Sequence, residues 1–261
     1  MTDIRDFMLR IARKAGEIAL AGQSTLDQDS VMFKSAKDLV TRTDREVEEY
    51  LSDEIRKKYP SHTIVGEETG TTKGSGEFAW FIDPIDGTTS FVHDQPFFSV
   101  SIGLKQNGEA VAGVVNAPRL GEIYHAVKGG GAFRNGERIS VSRRDRLLDA
   151  VLSTGFACVR AGMERNNLPL FCALVPRTRD VRRFGSAAID LSYVACGRLD
   201  GYWELFLQPY DVAAGELIVR EAGGKVCDFE GGGDYPAKGT LATNGRITRE
   251  ILDIVVHASK P

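Results

Sequence analysis

Cysteine is scarce in this chain of 261 residues. Four occur, Cys158, Cys172, Cys196 and Cys227, spaced 14, 24 and 31 residues apart. None forms a CxxC pair, so zinc ligation and a disulfide framework lack their usual spacing. Reduced, buried cysteines in a cytoplasmic protein are expected instead. Histidine is equally sparse and scattered, at His62, His93, His125 and His257, which argues against an imidazole metal site. Long apolar runs are missing as well. The longest stretch without a charge, Asn166 to Pro176, has 11 residues, against about 20 for a spanning helix. The N-terminus carries Asp3, Arg5, Asp6, Arg10, Arg13 and Lys14, and no secretory signal is readable there. Nor is there a strong excess of one charge. With 33 Lys plus Arg against 36 Asp plus Glu, the formal charge is −3, which argues against nucleic-acid binding driven by bulk electrostatics. The basic clusters Arg143–Arg146 and Arg177–Arg183 are short and read as solvated surface or a dimer contact.

What is present suits a globular chain. The residues are 42% hydrophobic and 26% charged, enough for a sizeable core in one large domain or two modest ones. Apolar residues at Ile4, Phe7, Met8, Ile11, Ala15, Ile18 and Ala19 predict an amphipathic helix over 4–20. Thr43 with Glu46 fits a capping box, and a second helix follows until Pro60. Thr63–Gly66 and Phe78–Ile82 read as strands. Residues 97–142 read as an antiparallel meander with tight turns at Asn107-Gly108 and Asn135-Gly136.

Beyond about residue 145, strands (Val151–Thr154, Val181–Phe184, Tyr202–Leu205, Lys225–Cys227) alternate with helices (Asn167–Val175, Ala187–Cys196, Val212–Ala222). A last helix spans about Thr248–Val256. The chain reads as α+β or layered α/β, with a lobe of residues 1–145 and another of 146–261.

The chemically informative segment is Asp83-Pro84-Ile85-Asp86-Gly87-Thr88-Thr89, directly after an apolar strand. It leaves two carboxylates on an irregular turn, in which Pro84 fixes its own φ. Gly87 permits close backbone approach, and the N–H groups of Gly87, Thr88 and Thr89 open a helix, a ready anion site. Carboxylates beside an anion site repel a phosphate unless a cation lies between, and all-oxygen donors without His or Cys select Mg²⁺. An Asx-turn in a surface loop is the plain alternative. Glu67 and Glu68 follow another strand and could be loop charges, and Asp211 at a helix start could be an N-cap.

GEE (66–68), DPIDGTTSF (83–91) and PYDVAAGELIVREAGG (209–224), with KDLVTRTD (37–44) and RRFGSAAIDLSYVACGRLDGYWE (182–204), strongly resemble the inositol monophosphatase family. These are Mg²⁺-dependent, lithium-sensitive phosphatases, and the bacterial-type enzymes look closest. The resemblance implies a five-layer α-β-α-β-α sandwich, a homodimer, and a phosphate ester as substrate. It places Glu67, Asp83 and the carbonyl of Ile85 on one Mg²⁺, and Asp83, Asp86 and Asp211 on a second. A third ion is expected on Glu67, so two to three per site. It makes Asp44 and Thr88, with Glu67, the groups around the attacking water. The phosphate would rest on Gly87, Thr88 and Thr89, favoured by the dipole of the helix that follows. Gly185, Ser186, Ala187 and Glu204 would face the substrate's alcohol, Asp86 would touch one of its hydroxyls, and Arg183 would lie near it or form a surface salt bridge. The family's Trp before the last metal Asp is Tyr210 in this chain.

Inositol monophosphate is the substrate the resemblance favours. Fructose-1,6-bisphosphate, histidinol phosphate, adenosine bisphosphate and NADP are the alternatives. A non-catalytic regulatory or scaffold protein on the same fold is the alternative of another class.

Overall fold

The computed structural model describes residues 2–26, 31–35 and 38–258, with backbone alone at 31–35 and 38–40. Lys37 of the KDLVTRTD segment lies outside the described residues. Helix α1 (Thr2–Ser24) is followed by a two-stranded hairpin, β1 (Val31–Ser35) and β2 (Asp38–Thr41), and by α2 (Arg42–Lys58). The amphipathic stripe of α1 runs as predicted, with Phe7, Met8, Ile11, Ala15 and Ala19 buried. The cap of α2 lies two residues earlier than expected. Thr41, not Thr43, is the N-cap, and Asp44 closes the capping box.

Strands β3 (Thr63–Gly66), β4 (Gly70–Thr72) and β5 (Phe78–Asp86) lead to the short helix α3 (Thr88–Val92). The meander comprises β6 (Ser99–Gln106), β7 (Glu109–Ala117), β8 (Glu122–Val127), β9 (Gly131–Arg134) and β10 (Glu137–Ile139). Both Asn-Gly turns form as read. Asn107 and Gly108 have φ of 50° and 84°, and Asn135 and Gly136 have 51° and 86°, the two left-handed residues that a twisted hairpin requires. The eight strands β10-β9-β8-β7-β6-β5-β3-β4 form one mixed sheet.

The second half contains β11 (Val151–Thr154), α4 (Ala157–Arg160), α5 (Leu168–Leu174), β12 (Asp180–Arg182), α6 (Ala187–Ala195) and β13 (Gly201–Glu204). Then come α7 (Pro209–Glu221), β14 (Lys225–Cys227), β15 (Thr240–Thr243) and α8 (Thr248–Ala258). Its strands pair in the order β12-β11-β13-β15-β14. Gln208, not Asp211, caps α7, and Asp211 is that helix's third residue.

The layers follow from which apolar faces meet. Helices α1 and α2 cover one face of the large sheet through Met8, Ile11, Leu51, Trp80 and Ile102. Helices α6 and α7 fill the space between the sheets, with Leu191, Ile218, Tyr124, Tyr202 and Ala242 in one core. Helices α5 and α8 close the far side over Leu174, Trp203, Leu241 and Ile251. The result is the five-layer α-β-α-β-α sandwich. Among the described residues no helix is long and apolar enough to cross a membrane. Of the four cysteines, Cys158 and Cys227 are buried as expected, whereas Cys172 is exposed and Cys196 half-buried.

Candidate active site

Sheet register brings the first acids together. Strand β3 runs parallel to β5 with Gly66 opposite Ile82, and the Glu67 amide donates to the Ile82 carbonyl at 3.2 Å. Glu67 therefore emerges beside Asp83, close enough to push the Asp83 carboxyl up. In a regular strand, Asp83 and Asp86, three residues apart, would point to opposite faces. The pairing of β5 with β6 breaks between them. This irregularity at Pro84-Ile85 lets both carboxylates enter one cleft.

The other acids come from helix starts. Asp211 is held at the N-terminus of α7, where its Oδ2 accepts from the Gln208 amide at 2.6 Å. Asp44 is held at the start of α2, where its Oδ2 accepts from the Thr41 amide at 2.8 Å and the Thr41 hydroxyl at 2.5 Å. The other oxygen of Asp44 is buried and meets no donor.

The cleft has a volume of about 680 Å³. Of the residues singled out from the sequence, Glu67, Asp83, Ile85, Asp86, Gly87, Thr88, Thr89, Arg183, Gly185, Ala187, Glu204 and Asp211 line it, as does Tyr210. Asp44 and Ser186 are buried and do not form part of that lining. Ser186 donates its hydroxyl to Asp86 at 2.6 Å, and the Ala187 and Ala188 amides donate to the same carboxylate at 3.2 and 2.7 Å. The start of α6 thus orients Asp86. The Thr88 hydroxyl donates to the Ile85 carbonyl at 3.2 Å. Helix α3 behind the Gly87–Thr89 amides has only five residues, so the dipole predicted to favour a phosphate there is short. Arg183 borders the cleft, and its charge partly offsets the burial that raises Asp86.

Electrostatics mark the acids as a strained group. Burial pushes the Asp83 carboxyl well above the usual carboxylate range, and Glu67, Asp86 and Asp211 push it further. Asp211 is raised by burial and then by Asp86. Burial raises Asp44 to about 7 and Glu204 to about 7, although the Tyr202 hydroxyl donates to Glu204 at 2.7 Å. Like charges confined in a dry site favour their protonated forms, and a nearby cation reverses the preference.

Among the described residues, no three such side chains already stand as a metal cage. The donor set nevertheless fits a hard divalent cation. Its groups are all oxygen, and Asp83 Oδ1 is buried without a hydrogen-bond partner.

Three further residues escaped the sequence reading. Glu48 is fully buried on α2 and accepts from the Glu68 amide, the Thr69 amide and the Thr69 hydroxyl at 2.8, 2.8 and 2.6 Å. It pins the loop that presents Glu67. Its signal was an acid one helical turn after Asp44, on the face that also carries Leu51. Glu68 itself is half-buried, not a solvated loop charge. Asp190, buried and lining the cleft, lies inside the quoted RRFGSAAID segment. Gly155 leaves room for Glu204, since a Cβ there would lie 1.9 Å from Glu204 Oε2.

The profile described as "Inositol monophosphatase family" matches residues 1–260. The Nus factor SuhB of Pasteurella multocida is 44% identical over 255 residues, covering 97% of this chain and 96% of that protein. The extragenic suppressor protein SuhB of Bartonella henselae superposes with a TM-score of 0.92 at 38% identity, covering 97% of this chain and 98% of the other. The inositol monophosphatase of Anabaena gives 0.89 at 37% identity, covering 98% and 96%. The chain belongs to the inositol monophosphatase family.

Proposed function

We propose that this protein is a Mg²⁺-dependent phosphomonoesterase that hydrolyses inositol monophosphates to inositol and phosphate. One observation carries the reading: acids from β5, α7 and the loop after β3 converge in the cleft that the Gly87–Thr89 backbone borders. Glu67, Asp83 and the Ile85 carbonyl would hold one Mg²⁺, and Asp83, Asp86 and Asp211 a second, with a third on Glu67. When bound, the ions neutralise the acids, raise the acidity of water, and stabilise the attacking and leaving oxygens of an in-line displacement.

The chain's own groups supply the rest. Asp44, buried with one carboxylate oxygen that meets no donor, is the group that would take the proton from the attacking water. The Thr88 hydroxyl donates and accepts, which suits it to orient the attacking water. The amides of Gly87 and Thr88 receive the phosphate, with Thr89 beside them. Glu204 accepts from a ring hydroxyl, Gly185 and Ala187 shape the floor beside it, and Arg183 adds a cation at the rim. Ser186 acts through Asp86. The lobes 1–145 and 146–261 contribute opposite walls, and the enzyme works as a homodimer.

The same machinery would serve fructose-1,6-bisphosphate, histidinol phosphate, adenosine bisphosphate or NADP. Comparing kcat/KM across these esters with Mg²⁺ tests the substrate. Preference for inositol monophosphate is expected, and a higher value for any other ester displaces it. Inhibition by millimolar lithium is also expected. The relatives' name, Nus factor, favours a second reading, a regulatory role that does not depend on hydrolysis. Asp83→Asn would leave that role intact while abolishing hydrolysis.

A further inference from the structure

Between Glu204, at the end of β13, and Pro209, at the start of α7, the chain turns sharply. In this turn Phe206 has φ of +72°, a region that glycine enters freely and a bulky residue enters only at a steric cost. Its ring is also 47% exposed and lines the cleft together with Leu207 and Tyr210. An aromatic ring that is both strained and wet contributes little to folding. Glycine would satisfy the backbone, and a polar residue the solvent. Such costs persist where the surrounding structure imposes them, and they cluster at ligand sites.

The position fits that account. Phe206 lines the same cleft as the acids and the Gly87–Thr89 amides, two residues after Glu204, the group proposed above to face the substrate's alcohol. A cleft of about 680 Å³ lies within the range of roughly 300–1,000 Å³ that accommodates ligands larger than one small ring. We propose that Phe206 is a specificity residue whose ring extends the site to phosphate monoesters carrying a planar aromatic group on the alcohol. Offset or edge stacking on Phe206 would hold such a group. The inference rests on the phosphatase reading.

Binding of two non-hydrolysable acids, benzylphosphonate and hydroxyethylphosphonate, tests it. Calorimetry with Mg²⁺ would compare the wild type with Phe206→Gly, Phe206→Asn and Phe206→Trp. Gly and Asn tolerate the positive φ, so these variants keep the turn. The preference for benzylphosphonate should fall about tenfold in both, the order expected for one aromatic contact, and persist in Phe206→Trp. A preference unchanged within about twofold in all three variants overturns the inference. Phosphate release from phenyl phosphate and inositol monophosphate by the wild type is measured in parallel. Release of neither contradicts the phosphatase reading and takes the inference with it. Release of both with an unaltered binding preference contradicts the role of Phe206 alone.

Discussion

Asp44 joins two tasks at one carboxyl. Its Oδ2 closes the capping box of α2, while its Oδ1 is buried without a donor. Burial outweighs the Thr41 hydrogen bonds and raises the group to about 7. The sign of the pH effect follows. A carboxyl whose folded value lies above its unfolded value of about 3.9 stabilises the fold fully below that value. The contribution is lost as pH rises through the folded value. Chelator-treated protein should therefore lose Tm between about pH 4 and pH 7, and Asp44→Asn should reduce that loss. Identical Tm profiles for the two proteins would refute the coupling. In the Mg²⁺-loaded enzyme, Asp44→Asn should lower kcat by about 10²–10⁴-fold, the usual range for losing a general base. Asn retains an acceptor for the Thr41 amide, so circular dichroism should still report a folded α2.

Elements position the acids by how closely they approach one another. Helix α7 lies directly against the glycines of the large sheet. A Cβ on Gly103 would meet the Ala213 Cβ at 2.6 Å, and one on Gly113 would meet the Ala214 carbonyl oxygen at 2.8 Å. These two glycines are register partners on β6 and β7, so together they form the seat of the helix that carries Asp211. Gly113→Ala should cost about 1–3 kcal/mol by overpacking and weaken Mg²⁺ binding by displacing Asp211. Urea denaturation and metal titration measure the two effects, and no change in either would contradict the seat. Gly103 and Gly113 carry no signal of that seat in the sequence, because helix-to-sheet contact is non-local. The Asn-Gly turns were legible because the residue pair itself sets the backbone. Strands β11 and β14 were read from the sequence, whereas β15, β4 and the β1–β2 hairpin were missed, although β1 opens on the apolar run Val31-Met32-Phe33. The caps of α2 and α7 were misplaced because several side chains near each helix start could cap it. Asp83 and Asp86 were legible as neighbours in sequence, but the strand irregularity that aims them together is a property of the paired sheet. Glu48 and Asp190 escaped for the same reason, since their tasks lie in loops and clefts far along the chain.

The whole molecule carries a formal charge of −3, and its most crowded acids share a single cleft. Bound Mg²⁺ would relieve that crowding, so folded protein should bind it in preference to the unfolded chain. At about 100 times Kd, such a ligand adds about 2.7 kcal/mol, or several degrees in Tm for a chain of this size. Calorimetric scans with Mg²⁺ and with chelator check this, and coincident transitions would count against a metal site. The sandwich also explains why distant segments build one site: β5 and the loop after β3 belong to the large sheet, β13 to the small one, and α7 lies between. The decisive measurement is phosphate release from inositol monophosphate by the wild type and by Asp83→Asn, with Mg²⁺ and with chelator. Release is expected from the wild type with Mg²⁺ and not with chelator, and it should fall more than about 100-fold in Asp83→Asn, beyond the usual effect of a change outside the metal's own ligands. Release that survives chelation or the Asp83 substitution, or no release by the wild type, would contradict the proposed function.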